Sequence, residues 1–246
     1  MKQFVRGAWR LLRMTSHVFK GVWLAVLVIP KAPAEQQRAR IQAWSQEFLR
    51  VVGIELRCQG QALGAAKLVV ANHVSWLDIV AVNAVHPVRF VGKADLKHWP
   101  LVGQLATAAG TLYIERERKR DAMRVVHHVA QSLRDGDTVA VFPEGTTSDG
   151  HGLLPFHANL LQAAIATETP VQALVLRFSD ARHAVSPAAA YVGDTHLLTS
   201  VWRVVSAKGL VANLQWMPAL ASAQTERREL SGQLRGQILT QLEQSS

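Results

Sequence analysis

The chain has 246 residues, 49 % of them apolar and 18 % charged, enough for one large α/β domain with a substantial core. Twenty-seven basic against eighteen acidic residues leave a net charge of +9, which suits lipid headgroups, an acidic carrier protein or nucleic acid. The low charged fraction argues against a solvated nucleic-acid binder and for an apolar contact surface. The single cysteine, Cys58, excludes an intrachain disulfide and a CxxC metal site, and reads as a small buried hydrophobe in a strand.

Residues 1–30 carry Lys2, Arg6, Arg10, Arg13 and Lys20, with no acid before Glu35. The uninterrupted apolar part, Gly21 to Pro30, falls short of the roughly 20 residues that cross a bilayer. Phe4, Trp9, Leu12, Val18, Phe19 and Trp23 interleave with the cations, as in a helix lying at a membrane interface. Each Lys or Arg there is worth about 1 kcal/mol against an anionic surface. A true span, a signal peptide or a plain core helix are the other readings of this segment. Pro30 and Pro33 break the helix, and Glu35 to Val52 forms a second one, with Ile41, Trp44, Phe48, Leu49 and Val52 near helical spacing. The pair makes a helical hairpin, so 1–52 is expected to be a membrane-associated segment and 53–246 the α/β domain.

Strand signals begin at Ile54–Cys58. Gly60 and Gly64 precede the apolar run Lys67–Ala71, which delivers Asn72-His73-Val74-Ser75-Trp76-Leu77-Asp78 and a helix over 75–85. A strand over 88–91 leads to Gly92-Lys93-Ala94-Asp95-Leu96, and a short helix ends at Ala109. The strand Thr111–Ile114 runs into Glu115-Arg116-Glu117-Arg118. A helix spans 119–134, with Met123, Val126, Val129, Ala130 and Leu133 on one side and with His127 and His128 at its surface. Asp135-Gly136-Asp137 is a turn, and the strand Thr138–Phe142 feeds Pro143-Glu144-Gly145-Thr146-Thr147-Ser148. A helix over 158–167, a strand over 171–176 and a last strand over 210–216 follow, with 179–200 unassigned. The C-terminal helix carries Leu230, Leu234, Ile238 and Leu242 at four-residue spacing.

Strands alternating with helices predict an α/β fold, a mixed, largely parallel sheet flanked by helices. Ligands of such sheets bind beyond the carboxyl ends of the strands. Three polar clusters, Asn72–Asp78, Glu115–Arg118 and Pro143–Ser148, follow apolar strands directly, and neighbouring strands would bring them together. His73 is then the candidate general base and Asp78 the carboxylate that orients it. Taken singly, that stretch also reads as a capping Asn, a satisfied junction His and a first-turn Asp. Arg116 is a cation able to clamp phosphate or carboxylate, and Lys93 is a further anion contact. Gly145 and the hydroxyls of Thr146 and Thr147 suit close approach to an anionic group. Glu144 either anchors a substrate hydroxyl or braces its loop. No GxSxG elbow, Walker A loop, HExxH or GxGxxG occurs. A base without an enzymic nucleophile points to direct activation of a substrate hydroxyl.

These blocks resemble those of the glycerolipid acyltransferases, the lysophosphatidate acyltransferase group. Asn72-His73 with Asp78 is similar to its NHx4D block, and Gly110-Thr111-Leu112-Tyr113-Ile114-Glu115-Arg116 to its second, whose arginine binds the acceptor. Phe142-Pro143-Glu144-Gly145-Thr146 is similar to the third and Thr169–Ala173 to the fourth, with Gly92–Leu96 matching the segment between the first two. The resemblance implies acyl transfer from acyl-CoA or acyl carrier protein to a lysophospholipid hydroxyl at the cytoplasmic face of the inner membrane, without metal or cofactor. Thr147 stands where lysophosphatidate acyltransferases usually carry arginine. There the chain resembles bacterial enzymes acylating lyso-ornithine lipid, so the expected acceptor is 1-acyl-sn-glycerol-3-phosphate with lyso-ornithine lipid as the alternative. An esterase or thioesterase using His73 on water, or a non-enzymatic basic protein of membrane surface or nucleic acid, are the competing readings.

Overall fold

Strand β2 (Lys67–Ala71) is buried at every position, because it is central in the sheet and covered on both faces. The computed structural model describes residues 1–114 and 119–244. Around β2 run β1 (Ile54–Gln59), β3 (Arg89–Lys93), β4 (Leu112–Ile114), β5 (Thr138–Val141), β6 (Val171–Ser179) and β7 (Leu210–Leu220), in the order β1-β7-β6-β2-β5-β3-β4. Neighbours pair in parallel except β6 with β7. The carboxyl ends of β6, β2, β5, β3 and β4 therefore share one edge.

Alternation along the strands splits the core into two layers. Val69, Ala71 and Leu174 face Phe48, Leu49 and Val52 of α2 (Ala34–Val52), Leu77 and Ala81 of α3 (Leu77–Val85), and Val204 and Val205 of α7 (Leu197–Ser206). Leu68, Val70 and Ala173 face Val129 and Leu133 of α5 (Lys119–Arg134), Leu161 and Ala164 of α6 (Leu161–Ala166), and all four stripe residues of α8 (Arg227–Gln244), Leu230, Leu234, Ile238 and Leu242. The short α4 (Val102–Ala108) follows a 3-10 turn at Ala94–His98.

Helix α1 (Lys2–Trp23) runs on through a π-helical turn, Leu24–Val28, and a 3-10 turn, Ile29–Lys31, before Pro33 admits α2. Lys2–Lys31 is long and apolar enough, by length and composition, to cross a membrane. Its inner side is built into the domain. Arg6 donates to Ser206 O (2.6 and 3.2 Å) and Arg10 to Ala207 O (2.7 Å) and Val205 O (3.3 Å), capping the carbonyl end of α7. His17 stacks on Trp44, with centroids 5.0 Å apart. Gly53 ends α2 at φ +81°, and a Cβ there would lie 1.9 Å from the Arg10 guanidinium, so both conformation and space require glycine.

Two expectations are corrected, and one gap is filled. Cys58 is exposed, because it lies in the outer half of β1, an edge strand whose last three residues are all exposed. Met123 is 74 % exposed, and Val125 takes its place inside, in phase with Val129 and Leu133. The unassigned stretch ends in α7, which begins at Leu197.

Candidate active site

The site grows from the end of β2. The Asn72 side chain stands in for a strand residue: its Nδ2 donates to Leu176 O and its Oδ1 accepts from Leu176 N, both at 2.8 Å. This prolongs the β2–β6 pairing by one step and leaves His73 projecting past the edge. The turn is then closed by Asp78, which is wholly buried. Its Oδ2 accepts from the backbone N–H of Val74 (2.7 Å) and Ser75 (2.9 Å) and from His73 Nδ1 (2.7 Å). A carboxylate only accepts, so Nδ1 is the donor, and the neutral imidazole then has its lone pair on Nε2. The His73 side chain is 18 % exposed, enough for a reactant to reach Nε2.

Phe142, the residue after β5, lies flat on the imidazole, with centroids 3.9 Å apart and planes within 7°. Glu144 is buried, and both its oxygens are occupied: Oε1 accepts the His73 N–H (2.7 Å) and Oε2 the Leu154 N–H (2.8 Å). Burial pushes this carboxyl above its ordinary range, opposed by those two N–H groups. Of its two expected roles, bracing the loop is the one this geometry carries. His73 O in turn accepts from Ser148 N (2.7 Å) and Oγ (3.2 Å), so the two motif loops are sewn together.

The structure brings His73, Asp78, Glu144 and Gly145 to one edge, as neighbouring β2 and β5 require. Gly145 sits at φ +72°, a conformation that favours glycine. Thr146 is exposed beside it. The Thr147 hydroxyl donates to Tyr191 O, so it ties loops rather than offering itself to an anion. Lys93 is exposed at the end of β3, two strands and so about 10 Å from the β2 axis. Arg116 lies outside the described residues. Among those described, no group of three His, Cys, Asp or Glu could hold a metal ion.

Sequence reasoning missed the bracing from 179–200. Tyr191 N–H donates to Val74 O (3.0 Å) and Trp76 Nε1 to Ser200 Oγ (3.0 Å). The stacking role of Phe142 was also hidden, although its parity along β5 was a usable signal.

The family model described as "Acyltransferase" matches residues 49–177. The chain is 36 % identical over 222 residues to the 1-acyl-sn-glycerol-3-phosphate acyltransferase of Neisseria gonorrhoeae, covering 89 % of this chain and 86 % of that one. It is 33 % identical over 231 residues to the lyso-ornithine lipid O-acyltransferase of Pseudomonas aeruginosa, covering 91 % and 88 %. The fold is similar to that of the solved 1-acyl-sn-glycerophosphate acyltransferase PlsC from Thermotoga maritima, with a TM-score of 0.73, 17 % identity, and coverage of 99 % and 95 %. The matched segment runs from the end of α2 into β6 and so contains His73, Asp78, Phe142 and Glu144: the chain belongs to the acyltransferase family.

Proposed function

We propose that this acyltransferase moves a fatty acyl group from a thioester, acyl-CoA or acyl carrier protein, to the free hydroxyl of a lysophospholipid. The observation that carries the reading is His73 Nδ1 at 2.7 Å from buried Asp78 Oδ2, which turns the Nε2 edge of the ring away from Asp78 at the carboxyl edge of the sheet. Nε2 takes the hydroxyl proton as the oxygen attacks the thioester carbonyl. The C–S bond breaks as the ester forms, and the proton passes from Nε2 to the departing thiolate. General base catalysis of this kind contributes about 10²–10⁴-fold, and Asp78 stabilises the imidazolium between the two transfers. The scheme needs neither an acyl-enzyme nor a cofactor.

The preferred acceptor is 1-acyl-sn-glycerol-3-phosphate, with Lys93 and Arg116 as its anion contacts. Thr147 in place of arginine, and the Pseudomonas relative, keep lyso-ornithine lipid as the alternative. Membership of an enzyme family, and motifs embedded in the core, leave no support for a non-enzymatic basic protein. Lipid supply fits α1 lying in the interface of the inner membrane on its cytoplasmic side. Its outer side exposes Phe4, Val5, Trp9, Leu12, Phe19 and Trp23, bordered by exposed Lys2, Arg13 and Lys20. Arg6 and Arg10 turn inward and spend their N–H groups on α7 carbonyls rather than on headgroups.

A labelled acyl thioester offered with lysophosphatidate, lyso-ornithine lipid and other lysolipids, read by product chromatography, tests the reading. One diacyl product is expected, lost in His73→Ala. Release of free fatty acid alone, whatever lysolipid is offered, would instead identify a thioesterase.

A further inference from the structure

The apolar surface of α1 does not stop at that helix. Phe4, 66 % exposed, meets the Trp202 ring of α7 with centroids 5.6 Å apart. One turn earlier on the same face of α7 stands Leu198, 82 % exposed. The other side of α7 is core: Ser200, Val204, Val205 and Ser206 are buried. The Arg6 and Arg10 caps hold the two helices together, and Gly7 lets them approach, since a Cβ there would lie 2.7 Å from Ser206 Oγ and 3.0 Å from the Trp202 ring. Leu198 and Trp202 are therefore fixed beside the α1 stripe.

We infer that Leu198 and Trp202 form a second lipid-inserting element, so that the membrane-facing surface is the composite of α1 and α7. The inference rests on the reading of α1 as an interfacial helix. The occupant is an anionic lipid leaflet, on grounds of continuity and charge. Leu198 and Trp202 share one face of α7, and Trp202 meets Phe4 at the near edge of the α1 stripe. Lys2, Arg13 and Lys20 border that stripe on its far side, while Arg203 is exposed next to Trp202 in sequence and Lys208 just past the end of α7. No acid occurs between Thr195 and Lys208, nor before Glu35. Basic margins around an aromatic and aliphatic centre are the chemistry of a surface seated at anionic headgroups. The same helix reaches the chemistry, because Ser200 accepts from Trp76 just after the His73 turn. Seating α7 in lipid thus sets the height of that turn above the leaflet from which a lysolipid enters.

The test uses the full chain with Cys58→Ser and a nitrobenzoxadiazole label on one introduced cysteine, at Leu198→Cys, Leu12→Cys on α1, or Gln233→Cys on α8. Vesicles of equal parts phosphatidylglycerol and phosphatidylcholine are added. Emission shifts to the blue at 198 and 12 and stays put at 233. A shift at 12 with none at 198 overturns this inference and leaves the interfacial reading of α1 standing. No shift at either position overturns both. In the unlabelled protein, Leu198→Asp weakens vesicle partition about tenfold with unchanged circular dichroism and Tm. A partition equal to the parent's would also sink the proposal.

Discussion

The rings of His73 and Phe142 lie face to face, 3.9 Å between centroids, and Phe90 continues the stack 5.6 Å beyond Phe142. Asp78 holds the imidazole at one edge, and the phenyl ring blocks its rotation out of that plane. Two constraints, one from the first turn of α3 and one from the end of β5, therefore aim one lone pair. Phe142→Ala removes the second and leaves the bond to Asp78. In an acyl-transfer assay kcat falls about 10- to 100-fold, with little change in acceptor KM. An unchanged kcat would show that the stack only fills space.

Asp78→Asn removes the charge while keeping one acceptor oxygen for the turn. The imidazolium formed when His73 takes a proton then loses its counter-charge, and kcat falls about 10²–10⁴-fold. Because the two residues act as a unit, adding Asp78→Asn to His73→Ala costs no further activity. Additive losses in the double variant would separate their roles.

Glu144→Gln disturbs the brace. An amide offers one acceptor where the carboxylate offers two, so the N–H of either His73 or Leu154 faces a donor. A buried unsatisfied donor costs about 1–3 kcal/mol. Denaturant unfolding reports a loss of that size together with reduced activity. Unaltered stability would place Glu144 in contact with substrate instead.

Acid sensitivity has a defined source at the opposite end of β2. Lys67 is fully buried; its Nζ donates to Leu63 O and lies 3.1 Å from His86 Nε2 and 5.7 Å from the Trp216 ring centroid. Burial lowers Lys67 to about 8, while burial, then Lys67 and Arg38, lower His86 to about 4. The unfolded chain binds more protons than the folded one between those values and the ordinary ones. Stability therefore falls as pH drops from about 6.5 towards 4 through His86, and rises from about 8 to 10.5 through Lys67. In thermal melts across these windows, His86→Phe flattens the acid limb and Lys67→Met the alkaline one. An acid limb unchanged in His86→Phe would move the effect to another group.

Much of the fold is legible along the chain because it is local. The apolar run of β2 ends where its composition changes, and the four-residue spacing of Leu230, Leu234, Ile238 and Leu242 states which side of α8 is inside. The pairing of His73 with Asp78 is legible for the same reason: five residues span one turn, and a carboxylate there meets the imidazole whatever surrounds it. Strand order is different. That β5 lies beside β2 depends on contacts about 70 residues apart, and only this adjacency lays Phe142 on His73 and turns Glu144 into a brace. Cys58 and Met123 are apolar yet exposed, because burial belongs to the neighbour that covers a position, not to the residue. Thr147 carries a hydroxyl fit for a ligand, yet Tyr191, 44 residues away, accepts it first. Arg6 and Arg10 look like lipid-binding cations in sequence, and the carbonyl end of α7 claims them. Residue type and spacing determined the chemistry this protein can perform; which groups stay free to perform it was decided by partners that distant segments bring into reach.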